Sequence, residues 1–215
     1  MKRFIPQFQG RDWPDGARVL HVYAVPDPTT DTELLKLAAT CRPAMASYPI
    51  AVLSDELLHI TIEMVADTSA DNINADGRGV IAAALRKHLA SSNPVEIVLG
   101  SPIVNRAGAL LDTWPDDELV AAQITVRDAL REVRGPAAIQ HDGGRMHMSL
   151  GYSYDTADSD PLQSALRRIS PSHARFRVSA LHLLDVQFRE RQQPDGRRGW
   201  EMSWEPVATI PLGSA

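Results

Sequence analysis

The sequence predicts an α+β fold in which one kind of lobe occurs twice, and two observations support that prediction. The first is that the same order of elements recurs in both halves of the 215-residue chain: strand, helix, short strand with a histidine, helix, strand. The second is a shared motif in the two short strands, His59-Ile60-Thr61-Ile62 and His147-Met148-Ser149-Leu150. Each motif is histidine, apolar, hydroxyl, apolar. An approximate two-fold axis would place the two motif strands on opposite walls of one groove.

The first half of the chain begins with a segment predicted to be irregular. Residues 1–17 are polar and contain several prolines and glycines. Side-chain character alternates along residues 18–25, and the segment ends before a proline, so we predict a strand there. A helix follows, capped at residue 30 or 31 and ending near residue 41, because Pro43 stops it. The remaining elements are a loop at 43–56, the first motif strand at 57–65, a turn-rich segment at 66–76, a helix at 78–90 and a strand at 95–104.

The second half repeats that order. Its clearest helix spans residues 116–133, where apolar residues recur every three or four positions. The elements in order are a strand at 108–114, this helix, a loop at 135–145, the second motif strand at 146–152, a helix at 160–169, and strands at 175–187 and 199–210 that pair across a turn at 194–196. We therefore predict one domain over residues 18–215, made of two lobes of about 18–105 and 106–215. The prediction allows strand exchange, in which a strand of one lobe joins the sheet of the other.

Composition limits the class of protein. Hydrophobic residues make up 44% of the chain, enough for a full core, and no run approaches the ~18 apolar residues of a membrane span. A formal net charge of -5 argues against a protein that coats nucleic acid non-specifically. No signal-peptide pattern opens the sequence, and the single cysteine, Cys41, excludes an internal disulfide. We expect a cytoplasmic protein with no membrane and no disulfide-linked partner; the sequence defines no oligomeric state.

The two motifs contain the groups needed for acid–base chemistry on a phosphate ester. Residues two apart in a strand share a face, so each histidine lies beside its hydroxyl. Histidine has an ordinary pKa of roughly 6.5, which suits both a base and an acid near neutral pH. We therefore predict His59 and His147 as catalytic residues, and Thr61 and Ser149 as donors to the non-bridging phosphate oxygens. The scheme needs no metal and no other cofactor.

Three residues near the first motif are candidates for substrate contacts. Glu63 continues the face of His59 and Thr61. It either orients the histidine, contacts a nucleobase or is a solvated carboxylate at the rim. His21 and Tyr23 share one face of the first strand, where they either line the groove or cap the edge of the sheet.

Three more candidates come from the second half. Tyr152 and Trp114 either stack on a nucleobase or belong to the core, since aromatic residues near strand ends serve both purposes. Arg145, in the loop before the second motif, is a candidate for a phosphate contact.

The paired motifs resemble the His-x-Thr/Ser motifs of the 2H phosphoesterase superfamily, in its 2'-5' RNA ligase/cyclic phosphodiesterase branch. The resemblance covers roughly residues 18–212 and includes the ending Val178-Ser179-Ala180-Leu181-His182-Leu183-Leu184 before a hairpin. It implies a bilobal, pseudo-two-fold-symmetric fold in which two mainly antiparallel β-sheets line a water-filled cleft, with helices outside. It also implies metal-independent chemistry on 2',3'-cyclic phosphates or 2'-5' linkages of RNA ends or small nucleotides.

Alternatives to a phosphodiesterase stay open at this point. The same site serves RNA 2'-5' ligation, and a nucleotide-binding module without turnover would keep the same pocket. Both motifs could instead be purely structural. The placement of the two imidazoles separates these interpretations, because catalysis requires them to face one groove. The pattern alone does not decide which histidine is the acid and which is the base.

Overall fold

Strands and helices follow one another in the predicted order. The computed structural model describes residues 1–140 and 144–213, so residues 141–143 of the predicted loop lie outside the described residues. The helices are α1 (Thr32–Met45), α2 (Ala75–Leu89), α3 (Asp117–Arg134) and α4 (Asp160–Leu166). The strands are β1 (Gln7–Phe8), β2 (Arg11–Asp12), β3 (Arg18–Ala24), β4 (Ile50–Val52), β5 (Ile60–Met64), β6 (Val95–Asn105), β7 (Gly108–Trp114), β8 (His147–Ser153), β9 (His173–Val178), β10 (Ala180–Gln192) and β11 (Arg198–Pro211).

Nine strands form one curled antiparallel sheet in the order β11-β10-β3-β5-β8-β7-β6-β9, with β4 paired to β8. The motif strands β5 and β8 meet at its centre through one residue pair, Ile60 opposite Met148. Three strands lie beyond β5 on one side, and three lie beyond β8 on the other. The predicted α+β fold with pseudo-two-fold symmetry is therefore confirmed. Its two sheets are the halves of one sheet, which join at that central pair.

The helices cover the outer face of the sheet in two pairs. α2 and α3 pack against each other and against β11 and β5, while α1 and α4 pack against β9, β6 and β8. The residues that α3 buries are spaced three or four apart, as the periodicity predicts, namely Leu119, Ala122, Val126, Ala129 and Leu130. Among the described residues, no helix is long and apolar enough to cross a membrane.

Each sheet half takes strands from both parts of the chain. β6 precedes residue 106 but lies between β7 and β9, whereas β10 and β11 follow residue 106 but lie beside β3. The helices cross in the same way, because α1 follows β3 in sequence and packs on β9 in the opposite half. The lobe boundary at residues 105 and 106 stays a prediction.

Three of the differences from the predicted elements have a clear physical reason. α1 continues through Pro43 to Met45, because Cys41 and Met45 are fully buried and anchor the last turn to the core. The loop predicted at 43–56 contains β4, whose pairing with β8 is a long-range contact that local pattern does not reveal. The strand predicted at 175–187 is two strands, because the chain leaves edge strand β9 at Ser179 and enters the other sheet half as β10.

The N-terminal segment is also more regular than predicted. β1 and β2 form a hairpin whose turn residues, Gln9 and Gly10, have φ angles of 54° and 70°, as a type I′ turn requires. The start of the segment is bonded to one sheet half, through Phe4 N–H to the Ser153 carbonyl at 2.7 Å. Its end is bonded to the other half, through Gly16 N–H to the carbonyl of residue 188 at 2.9 Å. We call residues 1–17 the strap.

Candidate active site

Both motifs line one cavity of about 390 Å³. β5 and β8 share a single residue pair near the start of each strand, Ile60 opposite Met148, and separate beyond it, which opens a space between the two sheet halves. His59 and Thr61 reach this space from one wall, and His147 and Ser149 reach it from the other. The structure therefore places both imidazoles and both hydroxyls around one cavity and not in two separate cores.

Each motif histidine is fixed by the same kind of backbone hydrogen bond. His59 donates Nδ1–H to the carbonyl of Leu57 at 2.8 Å, and His147 donates Nδ1–H to the carbonyl of Arg145 at 2.9 Å. A carbonyl oxygen only accepts, so Nδ1 bears the hydrogen in both neutral rings and the lone pair lies on Nε2. Nε2 is thus the atom with which each ring can accept a proton from a ligand. The prediction that both histidines lie in mid-strand is wrong. His147 is the first residue of β8, and His59 directly precedes β5.

The two histidines differ in environment. His59 is only 3% exposed, and its ring stacks on Tyr23 with centroids 4.2 Å apart and meets the edge of Trp204 at 5.5 Å. Burial lowers the pKa of His59 to about 4; the hydrogen bond to Leu57 opposes the shift, and the positive charge of His147 adds to it. His147 is half-buried. At neutral pH, His59 is therefore an uncharged base.

A β-bulge follows the hydroxyl of each motif. In β5 the extra residue is Ile62, directly after Thr61. In β8 the extra residue is Leu150, directly after Ser149. A bulge bends the strand and changes the direction of the side chains that follow it. The carbonyl of Ile62 accepts a hydrogen bond from Gln123 Nε2 of α3 at 2.8 Å, so the helix stabilises the bulge beside the first motif.

A tyrosine lies beside each hydroxyl. Tyr23 is opposite Thr61 in the β3–β5 register, and both Tyr23 and Tyr152 line the cavity. Burial raises the pKa of each phenol, and the neighbouring hydroxyl, Thr61 or Ser149, opposes that rise. Both tyrosines are therefore protonated at neutral pH and able to donate a hydrogen bond.

A third imidazole, that of His21, also lines the cavity. Its Nδ1–H donates to the carbonyl of Val19 at 3.0 Å, the same two-residue step as in the motifs. The ring is 5% exposed and lies between Trp13 and Tyr23, with centroids 6.0 and 5.1 Å away. Strand β3 lies between β10 and β5, so the alternative that His21 and Tyr23 cap a sheet edge is wrong.

Glu63 lines the cavity but is not a solvated rim carboxylate, because it is 1% exposed. Its Oε2 accepts a hydrogen bond from Arg127 Nε of α3 at 2.5 Å, and its Oε1 accepts one from Met64 N–H at 2.9 Å. The pair ties α3 to β5 beneath the first motif. Within the described part of the chain, no group of three or more histidine, cysteine or acidic side chains is arranged to hold a metal ion.

Of the two remaining predicted residues, one reaches the cavity. Arg145 lines it, and its guanidinium donates to Asp112 Oδ1 at 2.7 Å and to the Thr113 carbonyl at 2.9 Å. The ion pair with Asp112 raises the pKa of Arg145. The Arg145 carbonyl accepts the hydrogen bond from His147. The ion pair between Arg145 and Asp112 therefore also positions the second motif. Trp114 is 68% exposed at the end of β7, so the alternative that it belongs to the core is wrong, and its stacking on a nucleobase stays a prediction.

The sequence predictions missed the aromatic residues that complete the cavity. Phe4 of the strap stacks on Tyr152, with ring centroids 4.3 Å apart and planes 18° apart. Trp13 of the strap meets Phe188 of β10 edge-on at 5.1 Å. The sequence signal that could have found them is the frequency of aromatic residues. Phe4 and Trp13 of the cavity, and Phe8 beside Trp13, occur within 13 residues of a chain with only four phenylalanines and four tryptophans.

Several solved structures have a similar fold. TT0787 of Thermus thermophilus is 12% identical, with a TM-score of 0.61 over 90% of this chain and 97% of that chain. E. coli LigT complexed with 3'-AMP is 10% identical, with a TM-score of 0.59 over 92% of this chain and 99% of LigT. LigT complexed with NADP+ is also 10% identical, with a TM-score of 0.58 over 93% and 99%. At these identities the similarity shows a LigT-like fold.

The sequence identifies the family. A model of the 2'-5' RNA ligase superfamily matches residues 26–187, which is most of the chain. No curated protein sequence matches. The chain belongs to the 2'-5' RNA ligase superfamily of 2H phosphoesterases, as its paired motifs predicted. Membership and fold support an enzyme with a phosphoesterase or LigT-like activity.

Proposed function

We propose that this protein is a metal-independent phosphodiesterase that acts on 2',3'-cyclic phosphate or 2'-5' phosphodiester bonds of RNA ends or small nucleotides. One observation carries the proposal: two histidines with Nδ1 engaged by the backbone line the same cavity as two hydroxyls. A cavity of about 390 Å³ is the size expected for a small-molecule ligand. Family membership supports phosphoester chemistry at this position.

The proposed hydrolysis of a cyclic phosphate uses the two histidines in different roles. His59 is uncharged at neutral pH, so its Nε2 removes a proton from the attacking water while the water oxygen bonds to phosphorus. The bond from phosphorus to the 2' or 3' oxygen breaks, and the His147 imidazolium donates its Nε2 proton to that oxygen. The product is a phosphate monoester. The protons balance, because one is taken by His59 as another leaves His147.

Two hydroxyls and the charge balance of the cavity support this assignment. Thr61 and Ser149 donate hydrogen bonds to the non-bridging oxygens, which hold phosphorus in line between the two imidazoles. A positive charge on His147 further lowers the pKa of His59, which favours the uncharged form of the proposed base. A bound phosphate brings negative charge, which raises the pKa of His59 from about 4 toward the neutral range where a general base is most effective.

A substrate screen tests the proposal. The probes are 2',3'-cyclic mononucleotides, 2'-5' dinucleotides, ADP-ribose cyclic phosphate and cyclic dinucleotides, each assayed with wild type, His59→Ala, His147→Ala and the double variant. We expect each single variant to lose about 10²–10⁴-fold in kcat while circular dichroism shows a retained fold. Full activity in either single variant would contradict the proposal.

Chelation provides a second arm of the same experiment. Because the proposed proton transfers involve only side chains of this chain, activity should persist in EDTA. Complete loss of turnover in EDTA, restored by added metal, would contradict the scheme. Product analysis on oligonucleotides with 2',3'-cyclic and 5'-hydroxyl ends separates hydrolysis from ligation, since only ligation yields a longer strand.

A further inference from the structure

The strap forms one wall of the cavity from a part of the chain that the family match does not include. Phe4 and Trp13 line the cavity, whereas the superfamily match begins at residue 26. The strap residues that line the cavity carry no charge; they are Phe4, Ile5, Pro6, Gln7 and Trp13. The wall is therefore uncharged and mostly apolar, with two aromatic rings and one amide, and it belongs to the N-terminal segment of this chain.

The strap is bonded to both halves of the sheet along its length. Lys2 N–H donates to the carbonyl of residue 106 at 2.7 Å, and the amino group of Met1 donates to the carbonyl of residue 157 at 2.8 Å. On the other half, Gln9 Nε2 donates to the carbonyl of residue 66 at 3.0 Å, and the Asp15 carboxylate accepts from the backbone of residue 190 at 2.7 Å. These bonds fix the aromatic wall in place, so little ordering is needed when a ligand arrives.

The aromatic side chains of this wall lie next to the predicted phosphate site. Tyr152 lines the same cavity as Ser149 and stacks against Phe4 with a 4.3 Å centroid separation. Phe4 and Tyr152 are half-buried, and both line the cavity. A phosphate bound at Ser149 would therefore have its nucleoside beside an aromatic, uncharged surface. Aromatic faces bind nucleobases by stacking, with little preference for sequence.

We propose that the strap residues lining the cavity form the base-binding wall for a nucleotide substrate, with Phe4 as the main contact. This inference rests on the proposed function, which places the phosphate between the two motifs. In this arrangement the motifs determine the rate of bond cleavage, and the strap determines how tightly a substrate with a base is held. A cyclic phosphate without a base gains nothing from the strap.

Kinetics with two probes tests the inference. The probes are a 2',3'-cyclic mononucleotide and propane-1,2-diol cyclic phosphate, which has the reacting group but no base. We expect Phe4→Leu to raise KM for the nucleotide about five- to a hundredfold, with KM for the baseless probe unchanged. Phe4→Tyr, which keeps the ring, should restore most of the nucleotide affinity. An equal effect on both probes, or no effect on either, would overturn the inference.

Phe8 supplies a matched control. It is a strap phenylalanine that packs against Trp13 at 5.8 Å but does not line the cavity. Phe8→Leu should leave KM for both probes at the wild-type value, and thermal unfolding of each variant checks that the strap stays folded. An increase in KM with Phe8→Leu equal to that with Phe4→Leu would mean that the strap acts through general packing and not through a base contact.

Calorimetric binding separates this inference from the proposed function. Adenosine 2'-monophosphate and inorganic phosphate are titrated into wild type and Phe4→Leu, and neither titration requires turnover. We expect weaker nucleotide binding with Phe4→Leu and equal phosphate binding. If no ester is hydrolysed by wild type but this difference is seen, the proposed function fails and the base-binding wall stands. If wild type hydrolyses cyclic nucleotides and Phe4→Leu binds them equally well, only the wall is wrong.

Discussion

Replacing His59 with asparagine tests the burial of this imidazole through the pH dependence of stability. The unfolded chain binds a proton at His59 near pH 6.5, whereas the folded protein does so only near pH 4. Above about pH 6.5 the residue is neutral in both states and has no effect. As pH falls from 6.5 to 4, the unfolded state takes up the proton first, so the free energy of unfolding decreases. At about 1.4 kcal/mol per pKa unit, the decrease reaches about 3 kcal/mol.

The assay is urea unfolding of wild type and His59→Asn at intervals from pH 4 to pH 8. Other groups that titrate in this range are common to both proteins, so the difference between the two unfolding free energies isolates His59. We expect that difference to change by about 3 kcal/mol across the window, in the direction that favours the variant at low pH. His173→Asn, at an exposed surface histidine, is the control. A difference that is flat from pH 4 to pH 7 would refute the burial argument.

Two further predictions concern a buried ion pair and the motif hydroxyls. Asp185 is 1% exposed and binds Arg18 and Arg78 at 3.0 and 2.8 Å, so Asp185→Ala should cost about 3–5 kcal/mol in chemical unfolding. Glu205→Ala removes an exposed carboxylate that binds the same Arg18 at 2.8 Å, and it should lower the free energy of unfolding by less than about 1 kcal/mol. Equal decreases for the two variants would contradict the dependence on burial. Thr61→Ala and Ser149→Ala should each lower kcat/KM about tenfold, as expected for a hydrogen bond to a charged oxygen. A loss as large as in the histidine variants would assign the hydroxyls a different role.

The sequence predicted those parts of the fold that local pattern determines. α3 and β7 lie within one residue of their predicted bounds, because 3.6-residue periodicity and a well-bounded apolar run are local signals. β4 was missed because a three-residue strand depends on its pairing with β8. The break at Ser179 was missed because the alternation continues through it, and only the path of the chain between sheet halves requires a new strand.

The site, like the fold, was predicted where local sequence pattern determines it and missed where long-range contacts do. A two-residue repeat identified both histidine–hydroxyl couples, since each couple is local. The bulges at Ile62 and Leu150 have no compositional signature, because each is an ordinary apolar residue that the partner strand leaves unpaired. The alternative of a solvated Glu63 stayed open because its partner, Arg127, is 64 residues away in sequence. The strap looked irregular because its prolines and glycines outweighed the aromatic residues that cover the cavity.

The most direct test of the account is a crystal structure of the protein with inorganic phosphate or vanadate. We expect one anion in the cavity, with Nε2 of His59 and Nε2 of His147 both within hydrogen-bonding distance of its oxygens and the Thr61 and Ser149 hydroxyls donating to it. An anion that contacts one motif only, or that binds outside the cavity while the cavity stays empty at saturating concentration, would contradict it.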